Sequence, residues 1–146
     1  MLSIYRSGDQ APTHIIELLQ EVDFPGGGYL AEKLADQELQ ADEMVLVVTD
    51  AEGGLMAFAS LLAEDIVPDL DYGPFLAAVY VDPAYRGQGI FYHLVSLVEL
   101  EAKSQGQSQL YVISQHKNLY SKVGYQFKED LVDFMDRPVY CFSKAL

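Results

Sequence analysis

Arg86-Gly87-Gln88-Gly89 is the stretch of this chain whose residue types most directly imply chemistry. It follows an apolar run, Phe75-Leu76-Ala77-Ala78-Val79-Tyr80-Val81, and opens onto Ile90, Phe91, Leu94, Val95, Leu97, Val98 and Ala102, spaced as a helix spaces them. The first turn of a helix carries backbone N–H groups without partners, and its dipole adds roughly half a positive charge there. Two glycines remove the Cβ atoms that would hold a ligand away from those groups, and Arg86 adds a fixed cation beside them. The combination suits a phosphate or diphosphate. An ordinary strand-to-helix corner needs one glycine and no arginine, so a corner alone does not explain the segment.

The elements that must hold this turn can be read along the chain. Ser3 to Arg6 reads as an edge strand, and Ile15, Ile16, Leu18, Leu19 and Val22 form the stripe of a helix beginning near Pro12. Phe24-Pro25-Gly26-Gly27-Gly28 reads as a mobile connection to a second helix with Leu30, Leu34 and Leu39 on one side. Met44–Val48 and Leu55–Leu62 are β-rich runs joined by a turn-rich link, apolar enough for the middle of a sheet. An acidic loop from Ala63 to Pro74 leads to the Phe75–Val81 strand. After the central helix, with Glu99 and Lys103 spaced as a supporting pair, come the Gln109–Ser114 strand and a short helix at Asn118–Val123. Tyr125–Phe127, Leu131–Met135 and Val139–Phe142 can then supply two closing strands.

Composition bounds the function. A chain of 146 residues, half of them apolar, is long enough for one core and reads as a single domain, residues 1–146. There is no basic and apolar leader and no run long enough to span a membrane, and the one cysteine, Cys141, cannot form an internal disulfide; these features point to a cytoplasmic protein. The net charge of −13 lies wholly in residues 1–73, where fifteen acidic residues face Arg6 and Lys33; residues 74–146 balance seven against seven. Such a field repels nucleic acid and attracts cations, and it also serves solubility. His14, His93 and His116 show no ligand spacing, so no metal is expected.

Val79-Tyr80-Val81-Asp82-Pro83 followed by Arg86-Gly87-Gln88-Gly89-Ile90-Phe91 resembles the acyl-CoA motif of the GCN5-related N-acetyltransferases (GNAT), Q/R-x-x-G-x-G/A after a strand ending V-x-P. Phe91 stands where that family usually has Gly or Ala. Leu119-Tyr120-Ser121-Lys122-Val123-Gly124-Tyr125 resembles the family's second segment, L/F-Y-x-K-x-G-F, with Tyr125 in place of the final Phe; Ile113 stands where an Asn is often found. The element order matches the family over nearly the whole chain. The resemblance implies an α/β (α+β) fold, a mixed and mostly antiparallel sheet flanked by helices, with acetyl-CoA as co-substrate and no metal. It implies that Arg86, Gly87, Gln88, Gly89, Ile90 and Phe91 hold the diphosphate. It also implies that backbone N–H groups of Val79, Tyr80 and Val81 meet the acyl carbonyl and pantetheine arm, and that Tyr120 lies near the sulfur. A phenol with a pKa of about 10 can deliver a proton to a thiolate whose conjugate acid lies at about 8.5.

The expected reaction is direct acyl transfer to a primary amine in a ternary complex, for no serine sits in a nucleophile elbow and no cysteine is activated. The acidic half suits a cationic acceptor: a polyamine, an aminoglycoside or a basic peptide terminus. A base for the incoming ammonium could be Glu64, Asp65, Asp69 or Asp71 in the acidic loop, or His116. A catalytically silent acyl-CoA sensor or protein-interaction module is the alternative from another class. A nucleotide-binding domain is a weaker one, since both the P-loop ending and a full G-x-G-x-x-G are missing. Neither nucleic acid nor membrane is an expected partner, and a homodimer stays open.

Overall fold

The computed structural model describes all 146 residues. Seven strands form one sheet: β1 (Leu2–Arg6), β2 (Met44–Thr49), β3 (Leu55–Leu62), β4 (Phe75–Val81), β5 (Gln109–Ser114), β6 (Gln126–Val132) and β7 (Pro138–Ala145). Their spatial order is β1-β2-β3-β4-β5-β7-β6, and every pairing is antiparallel except the parallel one between β4 and β5. The helices are α1 (Thr13–Glu21), α2 (Pro25–Ala35) and α3 (Ile90–Ser104), with short 3-10 turns at Pro83–Tyr85 and Tyr120–Val123.

Alternation along the strands sends side chains to two faces. Met44, Leu46, Ala57, Ala59 and Leu76 pack beneath Leu94, Val95, Val98 and Ala102 of α3. Val45, Val47, Phe58, Leu62 and Ala77 face the other way, against Ile15 and Leu19 of α1 and Leu30 and Leu34 of α2. This explains why β2 and β3 are apolar almost throughout: they are covered on both sides. A third cluster, Phe75, Ile113, Val139 and Cys141, has no helix over it and is covered by Ile66, Val67, Leu70 and Tyr72 of the acidic loop.

Four local expectations change. The glycine triplet belongs to the first turn of α2 and is no mobile link: Pro25 takes the first helical position, where its missing N–H costs nothing. A Cβ on Gly26 would lie 2.8 Å from the Ala78 Cβ, and one on Gly27 2.4 Å from the Leu19 carbonyl oxygen, so the glycines let α2 press on β4 and α1. Leu39 is buried from the turn beyond α2, which has already ended at Ala35. The run Leu131–Met135 leaves the sheet after Val132, because the Asp133 carboxylate accepts hydrogen bonds from the Met135 and Arg137 N–H groups at 2.8 and 2.9 Å and closes a turn. Glu99 accepts from Tyr125 Oη at 2.8 Å and Lys144 Nζ at 3.1 Å, in place of a pair with Lys103.

The two inner glycine positions of α2 should behave oppositely. Gly27→Ala drives a methyl into a backbone carbonyl and lowers stability by about 2 kcal/mol. Gly28→Ala meets nothing within 4 Å and raises it by about 0.5–1 kcal/mol. Urea unfolding followed by circular dichroism checks both.

Candidate active site

Two features of β4 open a gap in the middle of the sheet. Towards β3, Phe58 pairs with Tyr80 and Ser60 with Ala77, so β4 carries one extra residue there, and Ala78 sits at a φ of 51°. The buried Ser60 hydroxyl donates to the Ala77 carbonyl at 2.7 Å, satisfying the backbone at this bulge. Towards β5, the register covers Phe75 and Tyr111 alone. Val79, Tyr80 and Val81 therefore lie where β4 has parted from its parallel neighbour. Tyr80 is held from behind by stacking on Phe58 and Phe24, with ring centroids 5.2 and 5.5 Å away.

β4 leads into the turn. The Asp82 side chain caps the Pro83–Tyr85 helix by accepting from the Ala84 N–H at 2.9 Å, and Tyr85 Oη donates to Asp50 at 2.8 Å, tying the turn to the β2–β3 hairpin. That bond holds the Asp50 carboxyl below the usual carboxylate range. Arg86 is exposed, and its Nε donates to the Val81 carbonyl at 2.9 Å. Gly87 and Gly89 have φ values of 81° and 82°, and a Cβ on either would meet nothing within 4 Å. The left-handed backbone explains why both are glycine, and the empty space leaves a concavity at the head of α3. Gln88 lies exposed between them, Ile90 begins α3, and Gly89 caps it without any side-chain bond to the first N–H groups. These residues fit a diphosphate: free donors, no Cβ in the way, and a cation alongside.

Phe91 turns its ring inward, 5.7 Å from the Tyr120 ring. The two sequence segments thus meet through this aromatic pair, whose members are 29 positions apart. Tyr120 opens the second 3-10 turn, closed by Gly124 at a φ of 94°, and is 7% exposed. Its hydroxyl is raised first by burial and then by the charge of Asp65, with no hydrogen bond contributing, in contrast to Tyr125 and Tyr72. Ile113 is buried in the third cluster.

The candidates for a base separate clearly. Glu64, Asp69 and Asp71 are exposed, as is His116 beyond β5, whereas Asp65 is partly buried and its carboxyl is pushed up to about 6 by desolvation. The charge of Asp65 reaches Tyr120, Tyr29 of α2 and Cys141 of β7. Sequence reasoning named Asp65 only as one of five candidates, four loop acids and His116, because burial in a loop leaves no periodic trace. It missed Tyr29, whose hydroxyl is raised by burial and by Glu43, Asp65, Glu64 and Glu38. No group of three or more His, Cys, Asp or Glu side chains is placed to hold a metal ion, and no helix is long and apolar enough to cross a membrane.

Comparison with known proteins agrees with this geometry. No curated protein sequence matches the chain. Among solved structures, an aminoglycoside 6'-N-acetyltransferase complexed with coenzyme A aligns with a TM-score of 0.69 at 18% identity, covering 99% of this chain and 96% of that one. An acyl-CoA N-acyltransferase from Pseudomonas aeruginosa aligns at 0.70 and 20% identity, covering 99% of each. A GNAT family acetyltransferase from Elizabethkingia anophelis with acetyl-CoA bound aligns at 0.68 and 15%, covering 100% and 97%. At these identities the likeness is one of fold, and it matches the mixed sheet and flanking helices described above. The sequence model of the acetyltransferase (GNAT) domain matches residues 41–127, well over half the chain and including the β4 turn, α3 and Tyr120. The chain belongs to the GNAT acetyltransferase family.

Proposed function

We propose that this protein transfers an acetyl group from acetyl-CoA to a primary amine of a cationic acceptor, by direct attack within a ternary complex. The observation that carries the reading is the pair of left-handed glycines with open space above them, set at the head of α3 where β4 has parted from β5. Gly87 to Phe91 hold the diphosphate through their backbone N–H groups, Arg86 neutralises part of its charge, and Val79, Tyr80 and Val81 offer backbone to the pantetheine arm and acyl carbonyl. The bound co-substrate supplies an activated acyl carbonyl and a sulfur leaving group.

Tyr120 serves that sulfur. Its hydroxyl has been raised above the ordinary phenol value, so full proton delivery to a thiolate is uphill. It acts instead as a hydrogen-bond donor in a site that excludes most water, where charge-assisted bonds are strongest. Direct transfer is favoured over a covalent enzyme intermediate because Cys141 is fully buried and its thiol is pushed up by desolvation. On the acceptor side, Tyr29 stands amid the charges of Glu38, Glu43, Glu64 and Asp65, an aromatic and acidic setting that suits an ammonium. The aminoglycoside 6'-N-acetyltransferases among its structural neighbours are consistent with such an acceptor.

Incubation with acetyl-CoA and a panel of spermidine, kanamycin and a lysine-rich peptide, with free thiol followed by absorbance, tests the reading. Thiol release with at least one amine is expected; acetyl-CoA binding with no release across the panel would make the protein a silent acyl-CoA sensor. Arg86→Glu should weaken coenzyme A binding by at least about tenfold, roughly the loss of one charge-assisted bond, as read by calorimetry. Tyr120→Phe should lower kcat by about 10- to 100-fold while leaving coenzyme A affinity unchanged, the signature of an interaction made only as the sulfur departs.

A further inference from the structure

We propose that this protein associates with a second copy of itself through the free edge of β1. The two β1 strands pair antiparallel about a two-fold axis at Ser3, so that the two sheets run on into one another. The inference stands on the backbone at the end of the sheet and is independent of the acyl-transfer reading.

β1 and β6 are the two ends of the seven-stranded sheet, and they are finished differently. β6 carries three consecutive charges, Lys128, Glu129 and Asp130, and its register with β7 breaks between Phe127 and Glu129. Charge and bulge are devices by which natural sheets keep an edge from being paired. β1 has neither. Its register with β2 is unbroken, and its one charge, Arg6, lies at its end.

The direction of each backbone group on β1 follows from its bonds. The Met1 carbonyl accepts from the Thr49 N–H at 2.9 Å and the Met1 nitrogen donates to the Thr49 carbonyl, so this pair exchanges both bonds. In an antiparallel ladder such pairs alternate with unbonded ones. Ser3 and Tyr5 therefore point to Val47 and Val45, while Leu2, Ile4 and Arg6 turn their N–H and C=O groups away from the sheet. At Arg6 both are taken: the N–H donates to Asp9 Oδ2 at 2.8 Å, and the carbonyl accepts from the Asp9 N–H at 3.0 Å. Two donors and two acceptors remain, on Leu2 and Ile4.

A second β1 matches that set without remainder. With Ser3 opposite Ser3 of the second copy, Leu2 of each chain faces Ile4 of the other, and each of these two pairs exchanges both bonds. Centring on Ile4 would set Leu2 opposite Arg6, whose groups Asp9 already holds, and half the bonds would be lost. The side chains agree with the first register. Leu2 and Ile4, 42% and 43% exposed, stand beside Val48 and Leu46 on the α3 face, and the pairing sets them against each other. Two chains of net charge −13 repel, so contact favours a surface free of acid. β1 carries no carboxylate, and the acids at its end, Asp9 and Glu101, are both bound to Arg6. A strand pair this short makes an interface at the small end for specific association, so the dimer forms as concentration rises.

Sedimentation equilibrium of the full chain between micromolar and millimolar concentration should show monomer passing to dimer and nothing larger, because pairing consumes both free edges. Over the same range, hydrogen exchange at the Leu2 and Ile4 amides should slow as concentration rises. Ser3→Cys tests the register: in an unbonded antiparallel pair the Cα atoms lie about 4.5 Å apart, within disulfide range. Mild oxidation should link it to a dimer about tenfold faster than Ser7→Cys, an exposed position just beyond the strand; Cys141 is fully buried and does not compete. Leu2→Lys with Ile4→Lys sets like charges opposite one another at both pairs and should abolish the dimer while circular dichroism stays that of wild type. A wild type that stays monomeric to millimolar concentration overturns the proposal. So do Leu2 and Ile4 amides that exchange at the same rate at every concentration, the behaviour of an edge left to water or to another protein's strand. Equal cross-linking of Ser3→Cys and Ser7→Cys, or a dimer that survives the double lysine variant, places any association elsewhere and equally ends it.

Discussion

Everything about this site depends on β4 being paired on one side and released on the other. A central parallel strand normally spends its backbone groups on both neighbours, and leaving them unpaired inside a protein is costly. Here β4 keeps β3 for its whole length through a bulge, but its register with β5 stops at Phe75 and Tyr111. The positive φ of Ala78 is part of the same arrangement, a strained residue at the point where the strand changes course. Gly26 matters because only a residue without a Cβ lets α2 lie against Ala78 there. The gap is therefore built by bulge, strain and close helix contact together.

The departure of Phe91 from the family pattern has a structural use. The first turn of α3 and the Tyr120 turn come from separate segments of the chain. The Phe91 ring bridges them at 5.7 Å, and Tyr125 stands edge-on to Tyr120 at 5.9 Å, so the catalytic candidate is held between two aromatic rings. Such pairs add about 0.5–1.5 kcal/mol beyond area burial. More to the point, they fix Tyr120 without using its hydroxyl.

The local parts of this design were legible in the sequence, and the tertiary ones were not. Phe75–Val81 as a strand, Ile90 as the start of a helix, and the two glycines between them follow from β-branched runs, helical spacing and turn chemistry acting within a dozen residues. The β5 strand at Gln109–Ser114 emerged with the same bounds. The glycine triplet misled because its reason lies in Ala78 and Leu19, far along the chain or across a turn, and propensity alone argues against a glycine-rich helix start. Glu99 was assigned to Lys103, a neighbour in sequence, when its partner Lys144 comes from the last strand. Asp65 stood level with three other acids until burial distinguished it.

The charge asymmetry of the chain also takes on a spatial meaning. In the proposed function a protein of net charge −13 holds a diphosphate, and at physiological salt charges more than about 8 Å apart are largely screened from one another where solvent lies between them. Local arrangement then decides the matter: the head of α3 and Arg86 would set the potential seen by the phosphates, while Asp50 is engaged by Tyr85 and Asp82 by the Ala84 N–H. The excess acid comes from α1, α2, the segments that join them to the sheet, and the loop over the third cluster, all carried by residues 1–73. α1, α2 and that loop pack on the face opposite α3. Under the proposed function, the acid on this face is what a cationic acceptor would meet, while the diphosphate would be met by the head of α3 and Arg86.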